Sequence, residues 1–273
     1  MTEESILPQF VDCAGGRIFL LLRRPAIPTQ RHCVLFVPPF AEEMNKCRRQ
    51  MAVTARALVD KGLSVLTVDL WGTGDSEGEF ATATWEIWKA NIATAVRWAH
   101  QIGVVVEALV GIRLGCALAA ESLRDAGLSV RTSVFWQPVD SGRQFMSQFL
   151  RLRVAASIMT NNRETVDGLR AMLRRGEPLE VAGYTLSPQL WEQVERVELS
   201  GALDPCVGCI TLVELGRSGR ADLSAAAQSI VAAAVRNGLK VAGARVPDEP
   251  FWSTTEIVVS PTVTSMTVQS LIA

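Results

Sequence analysis

Two glycines flank an arginine in Val110-Gly111-Ile112-Arg113-Leu114-Gly115-Cys116, between an apolar run that reads as a strand and an alanine-rich run that reads as a helix. A strand–Gly-x-Xaa-x-Gly–helix corner lifts its central side chain out of a sharp turn, and where that residue is serine the corner presents a nucleophile. Arginine changes the chemistry. A guanidinium does not deprotonate in a protein and is no nucleophile, so acyl transfer from residue 113 is excluded. A general base is missing as well. The two histidines, His32 before an early strand and His100 near a helix end, both lie outside the loop Pro247-Asp248-Glu249-Pro250-Phe251-Trp252 that follows the last strand. Asp140 and Glu214 sit at later strand ends, but a carboxylate without an imidazole has nothing to orient. Cys116 reads as a small buried residue. Cys47 stands beside Lys46, Arg48 and Arg49, whose charge favours a thiolate, yet it has no evident base.

Arg113 needs anionic or carbonyl partners if it is buried, because unpaired donors are penalised away from water. Glu42 and Glu43, on the loop after an earlier strand, are the natural candidates. Two roles fit. The acids neutralise Arg113 and the pair staples two loops, or Arg113 faces a cleft at a helix N-terminus and receives a carboxylate or phosphate. A third use makes Glu42 or Glu43 a general base on water, with Arg113 stabilising the charge that develops. Around them, Trp136, Phe251 and Trp252 follow strands and suit an apolar wall or a stacking surface. Arg143, Phe145, Phe149, Leu150, Arg151 and Arg153 form an apolar and basic mixture further along, with Arg143 a candidate ligand contact.

The elements that would position these groups alternate. Apolar runs at 17–23, 33–37, 64–68, 104–110, 130–136, 210–214 and 240–246 read as strands, and stripes of helical period cover 45–61, 84–101, 116–126 and 222–237. The proline-bearing stretch Pro25 to Gln30 separates the first two strands. Such alternation predicts a mostly parallel twisted sheet with helices on both faces, with the site beyond the carboxyl ends of the strands. Residues 139–200 break the rhythm with two or three helical segments and the loop Glu180 to Tyr184. This predicts a core of residues 1–138 and 201–273 with a helical lid, 139–200, inserted into it.

Composition narrows the partners. Apolar residues make up 48% of the chain and charged ones 20%, enough for a large core, and the net charge of −1 offers no field for nucleic acid. No run of about 18 uncharged apolar residues occurs, so no membrane span is expected. Six cysteines with one C-x-x-C, Cys206 to Cys209, and no companion pair imply neither a metal site nor a cofactor, and suit reduced thiols in a cytoplasm.

The loop Asp69-Leu70-Trp71-Gly72-Thr73-Gly74-Asp75-Ser76 resembles the D-x-x-G-x-G-x-S loop of α/β-hydrolases, and the Gly111–Gly115 corner resembles their nucleophile elbow. That resemblance implies the α/β-hydrolase fold, with Phe40 and Leu114 where the oxyanion-hole amides lie. Taken with Pro38-Pro39-Phe40-Ala41-Glu42-Glu43-Met44-Asn45-Lys46, Trp136-Gln137-Pro138, Gly142-Arg143, Val181-Ala182-Gly183-Tyr184 and Pro250-Phe251-Trp252, the chain resembles the exosortase A system-associated hydrolase 2 family nearly end to end. The resemblance implies a setting of exosortase, PEP-CTERM sorting signals and exopolysaccharide. It implies as partners a small-molecule or glycan ligand, or a protein of the exosortase system. An arginine at the elbow is usual in that family, so the expectation is a hydrolase-fold pseudoenzyme with respect to Ser-His-Asp chemistry. The alternative is a hydrolase of an ester, acyl or glycan-linked substrate through Glu42, Glu43 and Arg113.

Overall fold

The computed structural model describes residues 4–26, 32–158, 163–216 and 222–272. Eight strands form one sheet: β1 (Glu4–Cys13), β2 (Gly16–Pro25), β3 (His32–Val37), β4 (Ser64–Val68), β5 (Val105–Ile112), β6 (Thr132–Trp136), β9 (Cys209–Leu215) and β10 (Val241–Val246). Their order is β1-β2-β4-β3-β5-β6-β9-β10. The pairs β1–β2 and β2–β4 are antiparallel, and every other neighbouring pair is parallel. Helices α1 (Glu42–Val59), α2 (Trp85–Gln101), α3 (Gly115–Ala126) and α8 (Ala225–Arg236) connect or flank the parallel strands. Of the Pro25 to Gln30 stretch, residues 27–30 lie outside the described residues.

Both faces of the sheet are covered, and the side chains of β3 show how. Cys33, Leu35 and Val37 face the layer of α2, α3 and α8, while Val34 and Phe36 face α1 and the C-terminal helix α9 (Pro261–Ile272). Alternate residues thus enter opposite cores, which is why central strands of this kind read as unbroken apolar runs.

Between β6 and β9 the chain forms α4 (Gly142–Ile158), α5 (Val166–Arg174), the two-stranded hairpin β7 (Leu179–Val181) and β8 (Tyr184–Leu186), α6 (Pro188–Glu195) and the short α7 (Leu199–Ala202). The expected loop at 180–184 is this hairpin, and the helices number four among the described residues. Its buried residues join the larger core without a break: Phe145 and Phe149 of α4 pack edge-on against Phe40, with ring centroids 5.6 and 5.2 Å apart.

Three elements carried no usable sequence signal. β1 is an edge strand with Ile6, Leu7 and Phe10 exposed, so no buried face imposes alternation on it. The hairpin strands are three residues each. α9 is rich in Thr, Ser and Val, residues that favour strands or caps over helix interiors, and it forms because Val263, Thr267 and Val268 bury against the sheet.

Candidate functional site

β5 ends in a sharp corner. Arg113 adopts a left-handed backbone conformation, φ 56°, and its N–H donates to the Trp136 carbonyl at 2.9 Å. The flanking glycines are required by close approach rather than by dihedral freedom. A Cβ at Gly111 would come 2.8 Å from the Cys116 Cα, and one at Gly115 would come 2.4 Å from the Pro38 carbonyl oxygen. The corner is therefore an elbow in full backbone detail, with arginine at its tip. Two other non-glycine residues with positive φ end adjacent strands: Ala41 (φ 48°) beyond β3 and Gln137 (φ 44°) beyond β6. Each costs of order 1–3 kcal/mol, and such strain gathers where a site is built.

The Arg113 guanidinium is held by all three of its nitrogens. Nε and Nη2 lie 3.1 and 3.0 Å from Oε1 of Glu43, Nη1 donates to the Gln137 carbonyl at 3.4 Å, and Cζ stacks 4.9 Å from the Trp252 ring centre. The side chains of Arg113 and Glu43 are 12% and 9% exposed. This geometry is the staple, and it uses one of the two expected acids. Burial pushes the Glu43 carboxyl up from its ordinary value while the charge of Arg113 pulls it down.

Glu42 stands outside the Arg113–Glu43 pair. It lines a cleft of about 370 Å³ with Glu43, Lys46, Arg113, Phe145, Gln148, Phe149, Leu152, Trp252 and Ser253. Desolvation raises its carboxyl to about 7, with the neighbouring Glu43 adding to the rise and Lys46 and Arg113 opposing it. One oxygen of each acid, Oε2, is buried with no hydrogen-bond partner among the described residues. Lys46, which lies in the Pro38–Lys46 motif and beside Cys47, has no site role of its own in the sequence reading. Its spacing of four from Glu42 on one helix was the signal that places both on a common face.

Phe40 and Leu114 stand beside the elbow, 3% and 1% exposed. The Phe40 ring is enclosed by Phe80, Trp88, Phe145 and Phe149. The recess they share with Pro38, Trp85 and Gly115 measures about 10 Å³, room for one water at most.

Several expected site residues are elsewhere. Trp136 is the last residue of β6, wholly buried, with Nε1 donating to Thr267 Oγ1 at 2.9 Å, and Phe251 is buried against it. Both serve the core beneath α9 and neither lines the cleft; of the three aromatics only Trp252 does. Arg143 is exposed on α4 away from the cleft, and its carbonyl accepts from Arg170. Asp140 and Glu214 accept the N–H groups of Ser200 and Ser224, and Glu214 lies within β9 rather than after it. His32 pairs with Glu107 at 3.1 Å at the opposite, N-terminal end of the parallel strands, and His100 is exposed on α2. Cys47 and Cys116 are wholly buried, and burial drives both thiols well above the ordinary value, so the basic neighbours of Cys47 do not activate it. Cys206 is likewise pushed up to about 11. No group of three or more metal-ligating side chains occurs among the described residues.

No protein-family model matches this chain, and no curated protein matches it. Solved structures do. Est1E from Butyrivibrio proteoclasticus with bound ferulic acid superimposes with a TM-score of 0.67 at 16% identity, covering 97% of this chain and 100% of that one. Alpha/beta hydrolase domain-containing protein 10 from mouse gives 0.61 at 12% identity, over 97% of both chains. A fungal esterase from Rhizomucor miehei gives 0.59 at 15%, over 99% of this chain and 82% of that one. At such identities the likeness is one of architecture, and together with the sheet order and the elbow it establishes that this chain has the α/β-hydrolase fold.

Proposed function

We propose that this α/β-hydrolase-fold protein binds a small molecule in the cleft beside Arg113 and performs no Ser-His-Asp acyl transfer. The observation that carries the reading is the elbow itself: its backbone is intact, while the side chain at its tip is a guanidinium locked to a buried carboxylate. The recess beside the oxyanion-type amides is filled by Phe40 and its ring partners, and the space that remains open lies on the Glu42 side. Residues 139–200 act as the lid of that cleft. The motif resemblance supports a setting in the exosortase, PEP-CTERM and exopolysaccharide system, with a glycan-linked or acyl compound, or a protein of that system, as partner. The neighbours of known structure include esterases, and one holds ferulic acid. Treatment with a fluorophosphonate probe followed by peptide mass spectrometry tests the reading. No serine in the cleft, Ser253 included, is labelled; a labelled serine there sinks it.

One observation favours a second reading, hydrolysis by Glu42 acting on water with Arg113 stabilising the oxyanion. A carboxyl near 7 is poised to exchange protons at neutral pH.

A further inference from the structure

The cleft has an unequal distribution of charge. Arg113 and Glu43 cancel one another at 3.0 Å. Lys46 has no carboxylate within ion-pair distance among the described residues, and one of its three ammonium donors is used on the Thr254 carbonyl. Glu42, four residues earlier on the same helix, is half-buried with one oxygen sealed from solvent and unpaired. Across from these groups stand Phe145, Phe149 and the exposed Leu152 of α4. The cleft is thus polar on one wall, where Lys46 keeps free donors, and apolar on the other.

The geometry points to an amphipathic carboxylate as the ligand: its head accepts hydrogen bonds from the free ammonium donors of Lys46, and its alkyl or aryl part lies on Phe149 and Leu152. This rests on the cleft being a binding site, and it names the class of molecule bound. The charged and titratable groups around Glu42 are Glu43 and Lys46 on α1, Arg113 at the elbow and Tyr184 on β8, whose phenol oxygen accepts from Asn45 Nδ2 at 2.9 Å. When Glu42 is protonated these groups leave the cleft with one net positive charge, and when it ionises the cleft is neutral. An anion therefore binds with uptake of a proton, whereas a cation binds with the opposite dependence.

Calorimetric titration with octanoate, n-octylamine and 1-octanol at pH 6 and pH 8 decides it, on the wild type and on Glu42→Gln and Lys46→Met. Octanoate binds the wild type and weakens about tenfold from pH 6 to pH 8, the change linkage gives for a group near 7 that stays protonated in the complex. Glu42→Gln binds with no such dependence, and Lys46→Met weakens binding at both pH values. Octanoate affinity that ignores pH in the wild type, that survives Lys46→Met unchanged, or that falls below that of octylamine overturns the carboxylate. Binding of 1-octanol alone, lost on Leu152→Asp, keeps the cleft as a binding site and removes the carboxylate class. No heat with any of the three removes both.

Discussion

Arg113 and Glu43 meet at 3.0 Å across two loops that leave adjacent parallel strands, one from β3 into α1 and one from β5 into α3. The contact ties the elbow to the first turn of α1 in a nearly dry setting. An ion pair in such a place is weak evidence of net stabilisation, but removing one partner leaves a buried charge uncompensated.

Arg113→Ser accordingly destabilises the protein by about 3 kcal/mol. The double variant Arg113→Ser with Glu43→Gln recovers a substantial part of that loss, because neither charge is left alone. Urea unfolding of the four species of the cycle measures it, and strictly additive losses would show that the two side chains are uncoupled. The serine variant gains no esterase activity, since the described residues place no histidine at the elbow.

The Glu42 carboxyl is raised in the fold above its ordinary value, to about 7. A group raised in this way contributes stability that is complete below the unfolded-state value and is lost as the pH climbs through the folded one. Wild-type stability therefore falls by roughly 2 kcal/mol between pH 4.5 and pH 8, after allowance for partial exposure. Glu43 acts in the same direction. Denaturant midpoints across that range show a flatter profile for Glu42→Gln, with the residual slope belonging to Glu43; a profile as steep as the wild type assigns the effect elsewhere.

Replacing Gly115 by alanine places a methyl against the Pro38 and Val37 carbonyl oxygens at 2.4 and 2.7 Å, which are backbone atoms with little room to yield. The loss is about 3 kcal/mol, in the range of severe overpacking. Gly127→Ala meets nothing within 4 Å, so its smaller loss reflects only its left-handed φ of 63°. Thermal unfolding of the two variants separates contact from dihedral strain.

Thiol accessibility follows burial. Iodoacetamide at pH 8 modifies Cys209, which is exposed, and leaves Cys47 and Cys116 unmodified in the folded protein. Early alkylation of Cys47 would contradict the packing of α1 on the sheet.

Fast acid or base catalysis is the remaining question for Glu42. Hydrolysis of p-nitrophenyl esters by the wild type, with a rate that rises through pH 7 and is lost in Glu42→Gln, is the outcome expected if Glu42 activates water. Equal rates in the two proteins exclude that role.

Much of the fold was written along the chain. Strand β4 and the alternation from β3 to β6 follow from apolar runs whose period matches their structure, and the elbow follows from two glycines whose missing Cβ atoms admit Cys116 and the Pro38 carbonyl. The chemistry excluded there, acyl transfer from residue 113, depends on side-chain identity alone. Which acid would meet Arg113 did not follow. Glu42 and Glu43 are adjacent in a helix, so their side chains point about 100° apart, and only one can face the elbow. The rotation of α1 about its axis makes the choice, and that rotation is set by Cys47, Met51, Ala55 and Leu58 packing on Val34, Phe36 and Val65. The same rotation sends Glu42 and Lys46 into the cleft. Likewise Trp136 and Phe251 carry no mark that separates a cleft wall from a core, and α9 closing over β6 buried them both. Local sequence determined the strands, the turns and the missing nucleophile; packing between elements distant in the chain decided which charges are paired, which is left poised, and where space remains for a ligand.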